Sequence, residues 1–107
     1  MEINQYDVYW VNLDTTVGRE MKKTRPCLVI SPDEMNDNIG TVIIAPLTTA
    51  LRNYPTRVKC ILNGKTGMIT LDQIKTIDKK RINNKIGTID GAIIKQVKLV
   101  IEAMLVK

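Results

Sequence analysis

The apolar positions of this chain change period once. Up to residue 89 they come in short runs or alternate with polar residues, as strands do. From Gly91 they recur at Ile93, Val97, Val100, Ile101 and Met104, the spacing of one helical face. Residues 6–13 predict a first strand, with Val8, Trp10 and Tyr6 toward one side, Val11 and Leu13 toward the other, and Trp10 as its large buried anchor. Residues 14–24 carry Gly18 and mixed charge and predict a loop. Residues 27–30 are a continuous apolar run between Pro26 and Pro32, which predicts a short buried strand with Pro26 in its first position. Residues 32–38 are turn formers with room for one helical turn, closed by Gly40. Residues 41–47 predict a central strand whose Pro46 implies an edge or a bulge, and 48–55 a second polar loop.

In residues 57–62 charged and apolar groups alternate, which predicts a half-exposed strand. Asn63 and Gly64 then signal a tight hairpin. Two short strands at 66–71 and 73–77, a basic turn at 78–81 and a last strand at 85–89 complete the β region. Asp90 is placed to cap the final helix, whose polar side carries Lys95 and Lys98. The expected fold is mainly β: five to seven short strands in a small, twisted, partly closed barrel, then one C-terminal helix, all in a single domain over 1–107.

Composition narrows the chemistry. There is no Phe and a single Trp, so Ile, Val, Leu and Met must build the core. Sixteen Lys and Arg against eleven Asp and Glu give a net charge of +5, which favours a polyanionic partner. Histidine is absent, which removes the usual general base and the commonest metal ligand. Cys27 and Cys60 each lie in an apolar stretch and read as small buried hydrophobes of a reducing compartment. Phosphate-cradling glycine motifs are missing, and two isolated cysteines without histidine make none of the usual zinc sites. Asp33, Glu34 and Asp37 cluster in a turn-forming segment, where capping and solvation explain them. Ser31 has no histidine to activate it. The first ten residues lack the basic-then-apolar pattern of a signal peptide, and no apolar run is long enough to span a bilayer, so a soluble cytoplasmic protein is expected.

What remains is a constellation of polar residues. Arg25 stands where a basic loop meets the second strand, and Thr48 and Thr49 follow the third. If those strands pair antiparallel, Arg25 and Thr48 meet at one end of the sheet. Above them would lie one loop with Arg19, Glu20, Lys22 and Lys23 and another with Arg52, Asn53 and Tyr54. The plainer reading is a solvated arginine and strand-end hydroxyls bonded to backbone. Gln73 and Lys75 alternate with Ile74 and face either this groove or solvent. Tyr54 is the one loop aromatic placed to stack on a base, or else lies flat on the barrel rim.

Five stretches together resemble the MazF/PemK family of toxins from bacterial toxin–antitoxin pairs. They are DVYWV at 7–11 with VGRE at 17–20, RP at 25–26 with VISP at 29–32, APLTT at 45–49, YP at 54–55 and LDQIKT at 71–76. In order they span nearly the whole chain. The resemblance implies an SH3-like barrel forming a homodimer. It implies a metal-independent endoribonuclease, needing no cofactor, that cuts single-stranded RNA at a specific sequence, and an antitoxin whose disordered tail blocks the RNA groove. By position, Arg25 and Thr48 match the family's catalytic arginine and threonine. Glu20 matches a loop glutamate proposed to assist, and Gln73 a glutamine near the RNA. Arg19, Lys22, Lys23, Thr49, Arg52, Tyr54 and Lys75 complete the expected RNA-binding set. With neither histidine nor a convincing metal site, activating water is difficult. RNA carries its own nucleophile in the 2′-OH, so a 2′,3′-cyclic phosphate and a 5′-hydroxyl are the expected products. The base-reading loops are not shared across the family, so the cleavage sequence does not carry over. Two other readings stand beside this one: a CcdB-like toxin of the same architecture that binds a protein target such as gyrase, and a basic barrel that binds RNA without cutting it.

Overall fold

Seven strands and two helices follow one another in a computed structural model that describes residues 2–13 and 24–107. They are β1 (Asp7–Asn12), β2 (Thr24–Val29), α1 (Asp33–Asn38), β3 (Thr41–Thr48), β4 (Arg57–Leu62), β5 (Lys65–Thr70), β6 (Lys75–Asp78), β7 (Ile82–Thr88) and α2 (Gly91–Ile101). Single 3-10 turns lie at Leu71–Gln73 and Lys79–Arg81, and a π turn over Glu102–Val106 extends α2. The sheet runs β4-β5-β3-β2-β1-β7, with β6 also paired to β3 and every pairing antiparallel. Its two outer strands approach without pairing: a Cβ at Gly87 of β7 would lie 3.3 Å from Leu62 Cδ1 of β4. The result is a curled half-barrel with a C-terminal helix, the expected class.

Local chemistry explains the elements. Asn63 and Gly64 both take positive φ, 52° and 81°, the two-residue turn that Leu62 and Lys65 close. Asp90 caps α2 by accepting from the Ala92 N–H at 3.3 Å. Val97 of α2 is fully buried, and Ile93, Val100, Ile101 and Met104 pack with it as the periodicity predicts, joined by Ile94. Asp78 caps the basic turn, accepting from the Lys80 N–H at 2.8 Å.

The strands β1, β2 and β3 are buried on both faces. Val8, Leu28, Ala45 and Leu47 belong to one core, shared with Val58, Ile69 and Val97 of α2. Tyr9, Val11, Cys27, Val29, Val42 and Ile44 belong to a second, shared with Ile3, Ile77 and Ile82. This overturns the expectation for Trp10, which is 42% exposed, while Tyr9 on the opposite face is 1% exposed. The Tyr9 hydroxyl accepts from the Asn4 N–H at 3.1 Å and donates to the Glu2 carbonyl at 3.3 Å. Simple alternation cannot tell which of two adjacent aromatics is inside when both faces of a strand are covered.

Other expectations also shift. β2 begins at Thr24, so Arg25 and Pro26 lie within it. Pro26 sits opposite Trp10, and β3 joins β2 only from Cys27 onward, so the proline stands at the open end of that ladder. β3 is not an edge. It pairs with β6 up to Ile44 and with β5 from Leu47, and Pro46 lies in the gap between the two. There the Thr70 hydroxyl donates to the Pro46 carbonyl at 2.7 Å. Gln73 belongs to a 3-10 turn, not a strand; β6 starts at Lys75, and β7 starts earlier than expected, at Ile82.

Burial on two faces makes a stability prediction. Leu28→Ala should cost about 2–5 kcal/mol in denaturant unfolding, as fully buried leucines do. Trp10→Ala, although it removes a larger side chain, should cost less than Leu28→Ala. The reverse order would restore Trp10 as the core anchor.

Candidate active site

Each core opens into a cavity at the same end of the sheet. Continuing the first core along β1, β2 and β3 by alternate residues leads from Val8, Leu28 and Ala45 to Trp10, Pro26 and Leu47. These line an apolar cleft of about 260 Å³ that also includes Leu62 and Ile86. Continuing the second core leads from Val11 and Cys27 to Leu13 and Arg25, from Ile44 past Pro46 to Thr48, and along β6 from Ile77 to Lys75. These four line a second cavity of about 260 Å³, together with Arg57, Thr70 and Gln73. Thr48 and Leu47 line both. The stripe that is apolar in the middle of the sheet thus turns polar at its end.

The β2–β3 register pairs Cys27 with Pro46 and Leu28 with Ala45. Continued by two residues, it sets Arg25 opposite Thr48, as the antiparallel expectation requires. The backbone of Arg25 is tied by the Cys27 thiol, which donates to its carbonyl at 3.6 Å. Among the described residues Arg25 has no ion-pair partner. Thr48 Oγ1 accepts from the Ala50 N–H at 3.2 Å, which leaves the hydroxyl proton free to donate elsewhere. Across β3, β5 passes Thr48 through Gly67, where a Cβ would lie 3.2 Å from the Thr48 carbonyl oxygen.

Cys27 lies directly behind this polar surface. Burial pushes its thiol up to about 12, with Arg25 and Lys75 pulling weakly the other way. It therefore stays protonated and is not a nucleophile at neutral pH. Cys60, at the apolar cleft, is also raised by burial, and both cysteines are free and buried, as their apolar surroundings in the sequence predict.

The remaining expected site residues divide. Gln73 and Lys75 join Arg25 and Thr48 in the polar cavity although they no longer share a strand. Thr49 lines the apolar cleft instead. Arg52 lies with Asn53 and Lys59 in a separate shallow depression. Tyr54 is half exposed, its ring centroid 4.9 Å from Arg57 Cζ. Arg19, Glu20, Lys22 and Lys23 lie outside the described residues.

Two residues of this surface were not legible in the sequence. Arg57 lines the polar cavity, and its Nε and Nη2 donate to the two oxygens of Asp72 at 3.2 and 3.3 Å. These hydrogen bonds raise Arg57 above, and hold the Asp72 carboxyl below, their ordinary values, against partial burial in both cases. The only sequence signals were a charged residue at the start of a strand and an acid within LDQ. Among the described residues, no group of three or more His, Cys, Asp or Glu side chains could hold a metal ion. No described helix is long and apolar enough to cross a membrane.

Comparison with known proteins gives this surface its context. Residues 4–105 match the family model described as PemK-like, MazF-like toxin of type II toxin–antitoxin system. Endoribonuclease EndoA of Bacillus subtilis (strain 168) is 34% identical over 103 residues, covering 91% of this chain and 89% of the relative. Endoribonuclease toxin MazF of Escherichia coli (strain K12) is 34% identical over 84 residues, 78% of this chain and 76% of the relative. Among solved structures, MazF from Deinococcus radiodurans superposes with a TM-score of 0.83 at 22% identity, covering 100% of this chain and 99% of that one. A mycobacterial endoribonuclease in complex with its cognate antitoxin also gives 0.83, at 23% identity over 96% and 94% of the two chains. The similarity of fold and the sequence match over nearly the full length agree: this chain belongs to the PemK-like, MazF-like family of toxins of type II toxin–antitoxin systems.

Proposed function

We propose that this protein is a toxin endoribonuclease, acting as one domain, that cuts single-stranded RNA without a metal ion, with Arg25 and Thr48 at the scissile phosphate. The observation that carries this reading is the shared cavity of Arg25, Thr48, Gln73 and Lys75. An arginine with no carboxylate partner among the described residues keeps its fork for a phosphate, and the lysine adds a second positive charge. Curated relatives named endoribonuclease favour cleavage over gyrase poisoning or passive RNA binding.

The chemistry follows from what these groups offer. The 2′-oxygen attacks the adjacent phosphorus, its proton leaves to a base, and the P–O5′ bond breaks as the 5′-oxygen takes up a proton. In-line positioning makes the attack intramolecular. Arg25 neutralises the non-bridging oxygens as charge builds on the pentacoordinate phosphorus, and Thr48 donates its free hydroxyl proton to the same phosphate. Glu20 is the proposed base, by its match to the family glutamate. Arg19, Lys22, Lys23 and Arg52 track the phosphate backbone, and Thr49 contacts RNA from the neighbouring cleft.

The partners are a second copy and an antitoxin. Leu99, Leu105 and Val106 at the end of the helical region are 61–74% exposed, apolar surface that a homodimer would bury. Twice +5 gives such a dimer a charge of +10. An apolar cleft beside a polar cavity, with Thr48 and Leu47 common to both, suits an amphipathic or acidic antitoxin segment. A soluble toxin of this kind acts in the cytoplasm.

Three outcomes are expected. Arg25→Ala should lower single-turnover cleavage by about 10²–10³ with an unchanged melt, as loss of one preorganised donor does. Thr48→Val, which keeps the shape and removes the hydroxyl, should also be impaired. Near-normal rates in both variants would remove them from the site. An oligonucleotide with a single 2′-deoxy sugar 5′ of the cut should bind and resist cleavage, in EDTA as in magnesium. A 5′-phosphate on the downstream product would establish hydrolysis instead. Antitoxin and RNA should compete in a binding titration, and simultaneous binding without mutual weakening would refute a shared surface.

A further inference from the structure

Beside the polar cavity, Tyr54, Arg57 and Asp72 form a stack that the reaction above leaves unused. The Asp72 carboxylate accepts from Arg57 at two points, 3.2 and 3.3 Å, and from the Thr56 hydroxyl at 3.1 Å. Two-point pairing fixes the plane of a guanidinium as well as its position. Its Cζ lies over the Tyr54 ring, 4.9 Å from the centroid. The backbone anchors both ends: Arg57 N–H donates to the Tyr54 carbonyl and Leu71 N–H to the Thr56 carbonyl, each at 3.1 Å, and Leu71 is fully buried. The arginine is held tightly, with its side chain only 12% exposed, yet the tyrosine above it is 51% exposed.

A two-point ion pair with a largely covered arginine contributes to local stability, but that role does not call for a half-exposed aromatic ring laid against it. What the trio does provide is a half-exposed ring, backed by the guanidinium, next to a cavity that Arg57 itself lines. We infer that the Tyr54 ring is a stacking shelf for one nucleobase next to the scissile phosphate, with Arg57 and Asp72 as positioning residues that hold it level. The inference rests on the RNA-cleaving reading and goes beyond it by naming where a base is seated. Stacking reads no hydrogen-bonding edge, so the shelf orients its nucleotide rather than selecting it. A platform that is already rigid loses little freedom when the base arrives.

The charge on Asp72 makes the idea easy to test. On electrostatics alone, removing a negative charge from an RNA-binding surface tightens binding. If Asp72 holds the shelf, Asp72→Asn weakens it. The experiment first maps the cut made by the wild-type protein. It then measures binding of oligonucleotides that are 2′-deoxy at the cut and carry a single abasic site at each flanking position in turn. Wild type should lose about tenfold or more at one flanking position. Tyr54→Leu should lose a similar factor on intact RNA and nothing further when that position is abasic, while Tyr54→Phe keeps the full coupling. Asp72→Asn should bind intact RNA more weakly with the coupling reduced, and Asp72→Glu should recover part of it. Losses that simply add at every position, or tighter binding by Asp72→Asn, would overturn the shelf while leaving the nuclease intact. A wild-type protein that neither cuts nor binds RNA would overturn the nuclease reading, and the shelf with it.

Discussion

The pairing of Cys27, Leu28 and Val29 with Pro46, Ala45 and Ile44 is held from both sides of the sheet. Leu28 and Ala45 face one core, and Cys27, Val29 and Ile44 the other, all of them fully buried. A slip of one residue would exchange the two sets. A polar lock at the far end adds to this. Ser31 Oγ donates to Asn36 Oδ1 at 2.6 Å and accepts from the Ile43 N–H at 3.0 Å, while Asn36 Nδ2 donates to the Ser31 carbonyl at 3.0 Å. Ser31 and Asn36 are both buried, so breaking this network would leave polar groups unpaired away from water. Arg25 and Thr48 contribute nothing to either device. Their juxtaposition is inherited from a register that other residues specify, which frees the two positions for chemistry.

How much of this was legible depended on how local the signal was. The helix, its Asp90 cap and the Asn63-Gly64 hairpin were readable because a few neighbouring residues decide them. The meeting of Arg25 and Thr48 was readable because two prolines bound the β2 run and a short connection makes antiparallel pairing natural. Trp10 was misread because an alternating pattern assigns one inner face, and β1 has two. The Arg57–Asp72 pair was out of reach. The residues lie fifteen apart, and their contact depends on a 3-10 turn at Leu71–Gln73 that the sequence reads only as the junction of two strands.

The cavity holds two arginines in different states. Arg57 is neutralised by Asp72 and stacked on Tyr54, so its position is fixed and its charge largely answered. Among the described residues Arg25 is answered by no carboxylate, so its charge is available to a ligand. An arginine committed to a neighbour makes a good scaffold and a poor phosphate donor, and an uncommitted one the opposite. Beside them, Cys27 is fully buried in the second core, and that burial keeps its thiol protonated even with Arg25 and Lys75 nearby.

Thr48 joins two readings that the sequence set against each other. A strand-end hydroxyl bonded to local backbone is the commonplace role of such a residue, and Thr48 does accept from the Ala50 N–H. A hydroxyl has one proton and two lone pairs. Occupying one lone pair fixes the rotamer about Cα–Cβ but leaves the proton unassigned. The backbone bond is therefore a means of orientation. It holds the oxygen at the mouth shared by the polar cavity and the apolar cleft, with a donor still to offer. Gly67 on the other side allows β5 to approach closely enough to confine that segment. The local structural role and the proposed chemical one are consecutive steps of one arrangement, the first supplying the geometry that the second requires.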